Sequence, residues 1–284
     1  MPHPRSFIAF GALAGAVGGL LAFVFARIFA EPLIQQAIDY ESGRHEAQEA
    51  LDRAAGVSTG EHEHEVFSRA VQGNLGAGVG IVLFGVAMGL LVAVVYVVLL
   101  GRVGQLGPRS LALLVAGGGF LGVYLVPFLK YPANPPAIGH EETITTRGTL
   151  YLVMVAASIV LLIVAVAVGR RLQARLGTWN AALAGGAVFV VAIGIVMLLL
   201  PSVGDLADNV AIYGHHATET PLPLRDADGT IVFPGFPADV LAGFRLYSIL
   251  AQGILWGAIG LVFGLLADRL LRPSLRKSAP AAAS

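Results

Sequence analysis

The stretch LGAGVGIVLFGVAMGLLVAVVYVVLL, residues 75–100, decides the fold class, because it runs for 26 residues without a charged side chain. A bilayer core about 30 Å thick is crossed by roughly 20 apolar residues of helix. Five further stretches meet or approach that length, at about 7–29, 110–129, 149–168, 179–200 and 246–271. The sequence therefore predicts an all-α integral membrane protein, a bundle of about six transmembrane helices in a single domain at 1–272. A disordered cytoplasmic tail is predicted at 273–284.

Charged residues are divided unequally between the two ends of these helices. Ten Lys and Arg residues fall in the N-terminal segment, the two short turns and the C-terminal tail. Three longer segments, at 30–74, 130–148 and 201–245, hold 17 of the 18 acidic residues and six of the seven histidines. Because Lys and Arg in short loops favour the cytoplasmic side, the sequence predicts that both termini are cytoplasmic. The three longer segments are then outer loops.

Composition and missing motifs exclude several function classes. Charged residues make up 13% of the chain, against about 25% in a typical soluble domain. The chain has no cysteine, which excludes disulfides, thiolate metal sites and cysteine nucleophiles. It also contains neither a GxxxxGK[ST] phosphate-binding motif nor an HExxH zinc-protease motif. No catalytic constellation is visible, so we expect a protein that is not an enzyme and has no permanently bound cofactor and no nucleic-acid partner.

Glycine and proline positions predict where helices touch and where they bend. Gly11, Gly15 and Gly19 are four residues apart and share one helix face, which permits close approach of another helix. We favour packing within one chain over a dimer face. Glu31-Pro32 is typical of a helix start, and Pro127 predicts an end or a kink in the third apolar stretch.

Histidine and carboxylate side chains recur in all three outer segments. Imidazole binds Co, Ni, Cu and Zn, and carboxylates attract any cation. In an extended chain His62 and His64 would point the same way, whereas in a helix they would diverge. We therefore expect weak, first-contact metal binding, the alternative being that these segments are only solvated acidic loops. The candidate ligands are His45, Glu61, His62, Glu63, His64, His140, His215 and His216.

Several longer strings give the sequence a family resemblance. They are the first span ending in Phe25-Ala26-Arg27 with Glu31-Pro32, the segment Val66-Phe67-Ser68-Arg69 with Gln72, the string Lys130-Tyr131-Pro132-Ala133-Asn134-Pro135-Pro136, and Phe236-Pro237-Ala238-Asp239-Val240-Leu241 followed by Phe244-Arg245-Leu246 and Gln252. On these strings, which extend through most of the chain, the sequence resembles the CbtA-type cobalt transporter subunits.

The resemblance implies import of cobalt, or of nickel, through the bacterial inner membrane. It also implies a small partner, the CbtB-type subunit, with one span and a His-rich tail, while an oligomer of the chain itself stays open. It supplies no established set of ligands. The alternative function is a membrane sensor or scaffold that binds metal without transporting it.

Five residues in the matched strings are candidates for an outer vestibule or transport path. The residues are Tyr131, Asn134, Asp239, Arg245 and Gln252. The run from Tyr131 to Pro136 cannot form regular helix, and irregular backbone is tolerated at a membrane where it faces water or protein. Asp239 and Arg245 could also pair across the start of the last helix. We expect the second and third outer segments to pack over the mouth of the bundle.

Overall fold

The structure, a computed structural model, describes residues 3–57, 76–104, 106–214 and 219–278. Five helical segments in these ranges are long and apolar enough to cross a membrane. The chain is therefore an all-α membrane protein, as the sequence predicts. The helices are α1 (Pro4–Phe25), α2 (Glu31–Ala54), α3 (Ala77–Leu99), α4 (Pro108–Gly119), α5 (Val126–Lys130), α6 (Ile144–Leu199), α7 (Ala207–Tyr213) and α8 (Ala238–Ser278), and a two-stranded antiparallel sheet pairs β1 (Leu224–Arg225) with β2 (Ile231–Phe233).

Two prolines explain where long helices change their winding. The π-helical turn Ala26–Ala30 joins α1 to α2 just before Pro32, and the turn Phe120–Leu125 joins α4 to α5 just before Pro127. Proline cannot donate to the carbonyl four residues earlier and its ring crowds that carbonyl, so the helix widens there. At Pro127 the deprived carbonyl belongs to Val123, and it accepts a hydrogen bond from the Tyr151 hydroxyl at 3.4 Å.

Helix α6 folds back on itself and contains two of the predicted apolar stretches. Gly177 interrupts it with φ 74° and ψ 168°, a backbone conformation that glycine adopts readily. A methyl group at Gly185 would lie 2.8 Å from the Ala165 carbonyl oxygen, and one at Gly169 would lie 3.2 Å from that of Ala181. The segments on either side of Gly177 therefore pack against each other as a helical hairpin, with glycine allowing the close approach.

The chain divides into two compact units, and the first comprises Met1–Phe29, Glu65–Phe120 and Tyr247–Ser284. In it, α1 packs closely on α3. A methyl group at Gly11 would lie 2.5 Å from the Gly89 carbonyl oxygen, and one at Gly15 would lie closer still to the Gly85 carbonyl oxygen. The predicted glycine face therefore serves packing within the chain.

The same unit holds Asp268, the acidic residue that lies apart from the three acid-rich segments. Its carboxylate accepts hydrogen bonds from Arg109 at 2.9 Å and from Arg272 at 2.9 Å. Because the carboxylate is paired with these two guanidinium groups, it attracts other cations less strongly.

Helix α8 ends at Ser278, six residues into the predicted tail, while 279–284 lie outside the described residues. The single domain and the disordered tail stay predictions.

The second unit comprises Ala30–His64 and Leu121–Leu246. Within it the described parts of all three predicted outer segments pack together. Tyr40 of α2 and Ile138 are buried in one cluster with Phe233 and Phe236. The Tyr40 hydroxyl also donates to the Pro234 carbonyl at 2.9 Å. These contacts bring the histidine-bearing segments next to one another.

Candidate functional site

The predicted metal ligands divide into described and undescribed residues. Glu61, His62, Glu63 and His64 lie outside the described residues, as do His215 and His216. Their role as ligands stays a prediction. Of the predicted ligands, the structure places His45 and His140.

His45 and His140 come from different outer segments and line the same cavity, of about 260 Å³. Glu41 lines it as well, one helical turn before His45 on α2. Side chains four residues apart share a helix face, so this spacing could have identified Glu41 from the sequence. Arg44 is the cation that also lines the cavity, and its charge opposes a bound metal ion.

His45 already contacts a carboxylate. Its Nε2 lies 3.3 Å from Oε1 of Glu49, the next turn of α2, and its side chain is largely exposed. A metal ion at this imidazole would compete with that contact. Among the described residues no three His, Asp or Glu side chains are grouped closely enough to hold a metal ion. The cavity therefore offers two imidazoles and a carboxylate around an open space, without a closed coordination shell.

The orientation of His140 is set by Asn209. The Asn209 amide nitrogen donates to the Val203 carbonyl at 2.7 Å and to Oε1 of Glu219 at 2.6 Å. Its carbonyl oxygen consequently faces Nδ1 of His140, at 2.7 Å. In neutral His140 the proton then belongs on Nδ1, which makes Nε2 the basic nitrogen. A partner of this kind is what fixes the ring of a metal-binding histidine.

Glu219 is the centre of a buried polar cluster that sequence reasoning missed. It is 2% exposed, and its Oε1 accepts hydrogen bonds from Thr143 at 2.5 Å and from Asn209. Its Oε2 forms an ion pair with Nη1 of Arg147 at 2.8 Å. In the sequence Glu219 follows His215-His216 in an acidic segment, with no periodicity to mark it as buried. Only the tertiary contacts identify it.

Three of the five vestibule candidates line a second cavity, of about 580 Å³. They are Tyr131, Asn134 and Arg245, joined there by Lys130, Arg147 and Glu219. Asp239 and Gln252 do not belong to this lining. Asp239 is exposed in the first turn of α8, and Gln252 is half-buried further along the same helix.

Arg245 is held by the segment that follows α5. Its Nε donates to the Ala133 carbonyl at 3.3 Å and its Nη2 to Oδ1 of Asn134 at 2.9 Å. The expected pairing with Asp239 is thus replaced by bonds to Ala133 and Asn134. Asp239 and Arg245 are six residues apart, a spacing that puts them on different faces of α8.

Tyr131, in the irregular segment that follows α5, is hydrogen-bonded to the start of the third outer segment. Its hydroxyl donates to the Pro201 carbonyl at 2.9 Å. Burial raises the pKa of the Tyr131 hydroxyl above its ordinary value of 10.0, so it stays protonated and remains a donor.

Comparison with known proteins agrees with this architecture. The family model described as "Probable cobalt transporter subunit (CbtA)" matches residues 4–268. The chain belongs to the CbtA family. It is therefore a membrane transport protein, and the word subunit in the family's description places it in a complex with a partner. The chain matches no curated protein and no solved structure.

Proposed function

We propose that the chain is the membrane subunit of an importer for cobalt, or a closely similar divalent transition metal, and that its outer segments gather the cation. The observation that carries this proposal is that His45 and His140, from two different outer segments, line one cavity with Glu41. Membership of the family supports cobalt as the transported ion.

The chemistry of the lining suits transient capture. Imidazole nitrogen favours transition metals over Mg²⁺ and Ca²⁺, which prefer oxygen. Glu41 contributes negative charge, while Arg44 in the same lining limits the affinity. A transport site must bind well enough to admit the ion and weakly enough to release it. The histidines outside the described residues, His62, His64, His215 and His216, would add further first contacts.

The proposal includes an orientation in the membrane. The chain crosses the bacterial inner membrane six times, with both termini in the cytoplasm. The hairpin at Gly177 supports two crossings within α6, and the Arg-rich turns support the direction. The partner is a small single-span, His-rich CbtB-type subunit.

Cobalt flux into vesicles tests the proposal. The chain is reconstituted in liposomes with and without its partner subunit, and entry of Co²⁺ is followed with a dye inside. We expect flux at least with the partner present. Absence of flux in both preparations would refute the proposal that the chain imports cobalt. Binding of Co²⁺ without flux would favour the sensor or scaffold function.

Titration of variants with Co²⁺ tests the cavity itself. His45→Gln with His140→Gln should weaken binding, because both changes remove an imidazole from one lining. His3→Gln is the matched control, since His3 is exposed at the N-terminus of α1. A separate variant with His62, His64, His215 and His216 replaced by Gln measures how much these four histidines contribute to Co²⁺ binding. If the double variant and the control bind Co²⁺ with equal affinity, the cavity does not bind the cation and is not part of the proposed site.

A further inference from the structure

The larger cavity has a lining of the wrong charge for a metal cation. Lys130 at the end of α5, Arg147 near the start of α6 and Arg245 near the start of α8 all contribute to it. Among the described residues of the lining, Glu219 is the one carboxylate, and it is paired with Arg147. Among the described residues, Lys130 and Arg245 have no carboxylate partner. Two positive charges are thus left facing a partly enclosed space.

A cation without a counter-ion is disfavoured in such a space, although the acceptors at Ala133 and Asn134 offset part of that cost for Arg245. Removing a cation from water costs several kcal/mol unless an anion or hydrogen-bond acceptors replace the water. A bare divalent cation would add to the repulsion, since like charges repel more strongly where the effective dielectric is low. An anion would relieve it. The positive charge of the lining therefore favours an anionic ligand.

Arg245 is already positioned to hold an oxyanion. Two of its donors are used by Ala133 and Asn134, which fix the plane of the guanidinium. A guanidinium has five N–H donors, so others remain for a ligand. Planar guanidinium groups bind phosphate and carboxylate oxygens in pairs, and a lysine ammonium adds a compact charge. Lys130 supplies that ammonium, with its Nζ 5.8 Å from the centre of the Tyr131 ring.

The size and the apolar part of the lining point to more than an inorganic ion. Phe128, Leu129 and Val203 contribute to it alongside the cations. Its volume of about 580 Å³ lies within the range of roughly 300–1,000 Å³ typical of small-molecule sites. The lining therefore fits a phosphate group attached to a less polar body.

We propose that this cavity binds the phosphate group of an anionic ligand, held between Lys130 and Arg245, and that it does not take a bare metal cation. Two sources offer this chemistry, the headgroup of an anionic phospholipid and a soluble phosphate. The proposal does not rest on cobalt transport, because the positive charge of the lining disfavours the cation that the importer would carry.

Binding to the intact chain in neutral detergent tests the proposal. The probes are inorganic phosphate, phosphatidylglycerol and the net-neutral phosphatidylcholine, with native mass spectrometry for lipid and calorimetry for phosphate. We expect phosphatidylglycerol or phosphate to bind in preference to phosphatidylcholine. Preference for phosphatidylglycerol alone identifies a lipid headgroup as the source, and binding of inorganic phosphate identifies a soluble one. The proposal is overturned if neither phosphatidylglycerol nor inorganic phosphate binds, or if the two lipids bind equally and inorganic phosphate does not bind.

Variants locate the bound anion. Lys130→Gln with Arg245→Gln should weaken binding at least tenfold, whereas Lys130→Arg with Arg245→Lys, which keeps both charges, should retain most of it. Arg53→Gln removes one exposed charge at the end of α2 and is the control. Affinity in the charge-removing variant equal to that of the control would place the anion elsewhere and refute the assignment.

Discussion

Removal of the negative charge of Glu219 tests the buried cluster most directly. Glu219→Gln keeps the size and an oxygen, so Thr143 and Asn209 retain an acceptor. What is lost is the ion pair with Arg147, whose Nη1 lies 2.8 Å from Oε2. Arg147 then keeps its charge in a half-buried position without a counter-ion. The variant should therefore be substantially less stable.

The magnitude follows from the burial of the two partners. Breaking a buried ion pair by removing one partner costs about 3–5 kcal/mol. Glu219 is 1% exposed at its side chain but Arg147 is 27% exposed, so water can reach the stranded cation in part. We expect the lower end, about 3 kcal/mol, which lowers the folding equilibrium constant by roughly a hundredfold.

Denaturation by dodecyl sulfate, followed by circular dichroism in mixed micelles, measures this change. Glu141→Gln removes an exposed carboxylate from the same segment and should stay within about 0.5 kcal/mol of the unchanged chain. Arg147→Met combined with Glu219→Gln completes a double-mutant cycle. We expect a coupling free energy above about 1.5 kcal/mol, within the range found for residues in contact. A coupling below about 0.5 kcal/mol would refute the view that this pair stabilises the fold.

Four further substitutions have definite expected outcomes in the same unfolding assay. Gly15→Ala places a methyl group against the backbone of α3 and should cost about 1–3 kcal/mol, whereas Gly80→Ala, at an open position on α3, should be neutral or stabilising by up to about 1 kcal/mol. Equal effects at the two sites would contradict the close packing of α1 on α3. Gly177→Ala should cost about 1–3 kcal/mol, because φ 74° with ψ 168° is a backbone region essentially confined to glycine, and an unchanged midpoint would argue against the hairpin. Tyr131→Phe removes the bond to Pro201 and should cost about 1 kcal/mol. A stability equal to that of the unchanged chain would show that this bond contributes nothing.

Much of the fold follows from the sequence because its signals are local. An apolar run of membrane length predicts a helix wherever it lies in the chain, and glycines four residues apart predict a contact face regardless of the partner. The structure confirms both for Gly11 and Gly15, which meet glycines of α3. Pro127 likewise predicts a disturbance of the helix, although not the π-helical turn that precedes it.

The candidate site is less predictable because it depends on contacts between distant segments. Thr143 and Glu219 are hydrogen-bonded across 76 residues, and Arg245 and Asn134 across 111. No pattern within either segment specifies such partners. Nearness in the chain makes Asp239 the expected partner of Arg245. Glu219 has no sequence feature that separates it from the other carboxylates of the outer segments, whereas its burial does.

The Glu219 pair also sets the charge of the larger cavity, and this leads to a prediction that separates a damaged protein from a correctly folded one. Arg147 is neutralised by Glu219, so only Lys130 and Arg245 act on a bound anion. Glu219→Gln leaves three cations in the lining. The variant should therefore bind phosphate or phosphatidylglycerol more tightly, by roughly tenfold if one more charge-assisted contact of about 1.5 kcal/mol is gained. The same substitution thus lowers stability and raises anion affinity. General loss of structure would lower both, so weaker anion binding by folded Glu219→Gln would contradict the electrostatic argument.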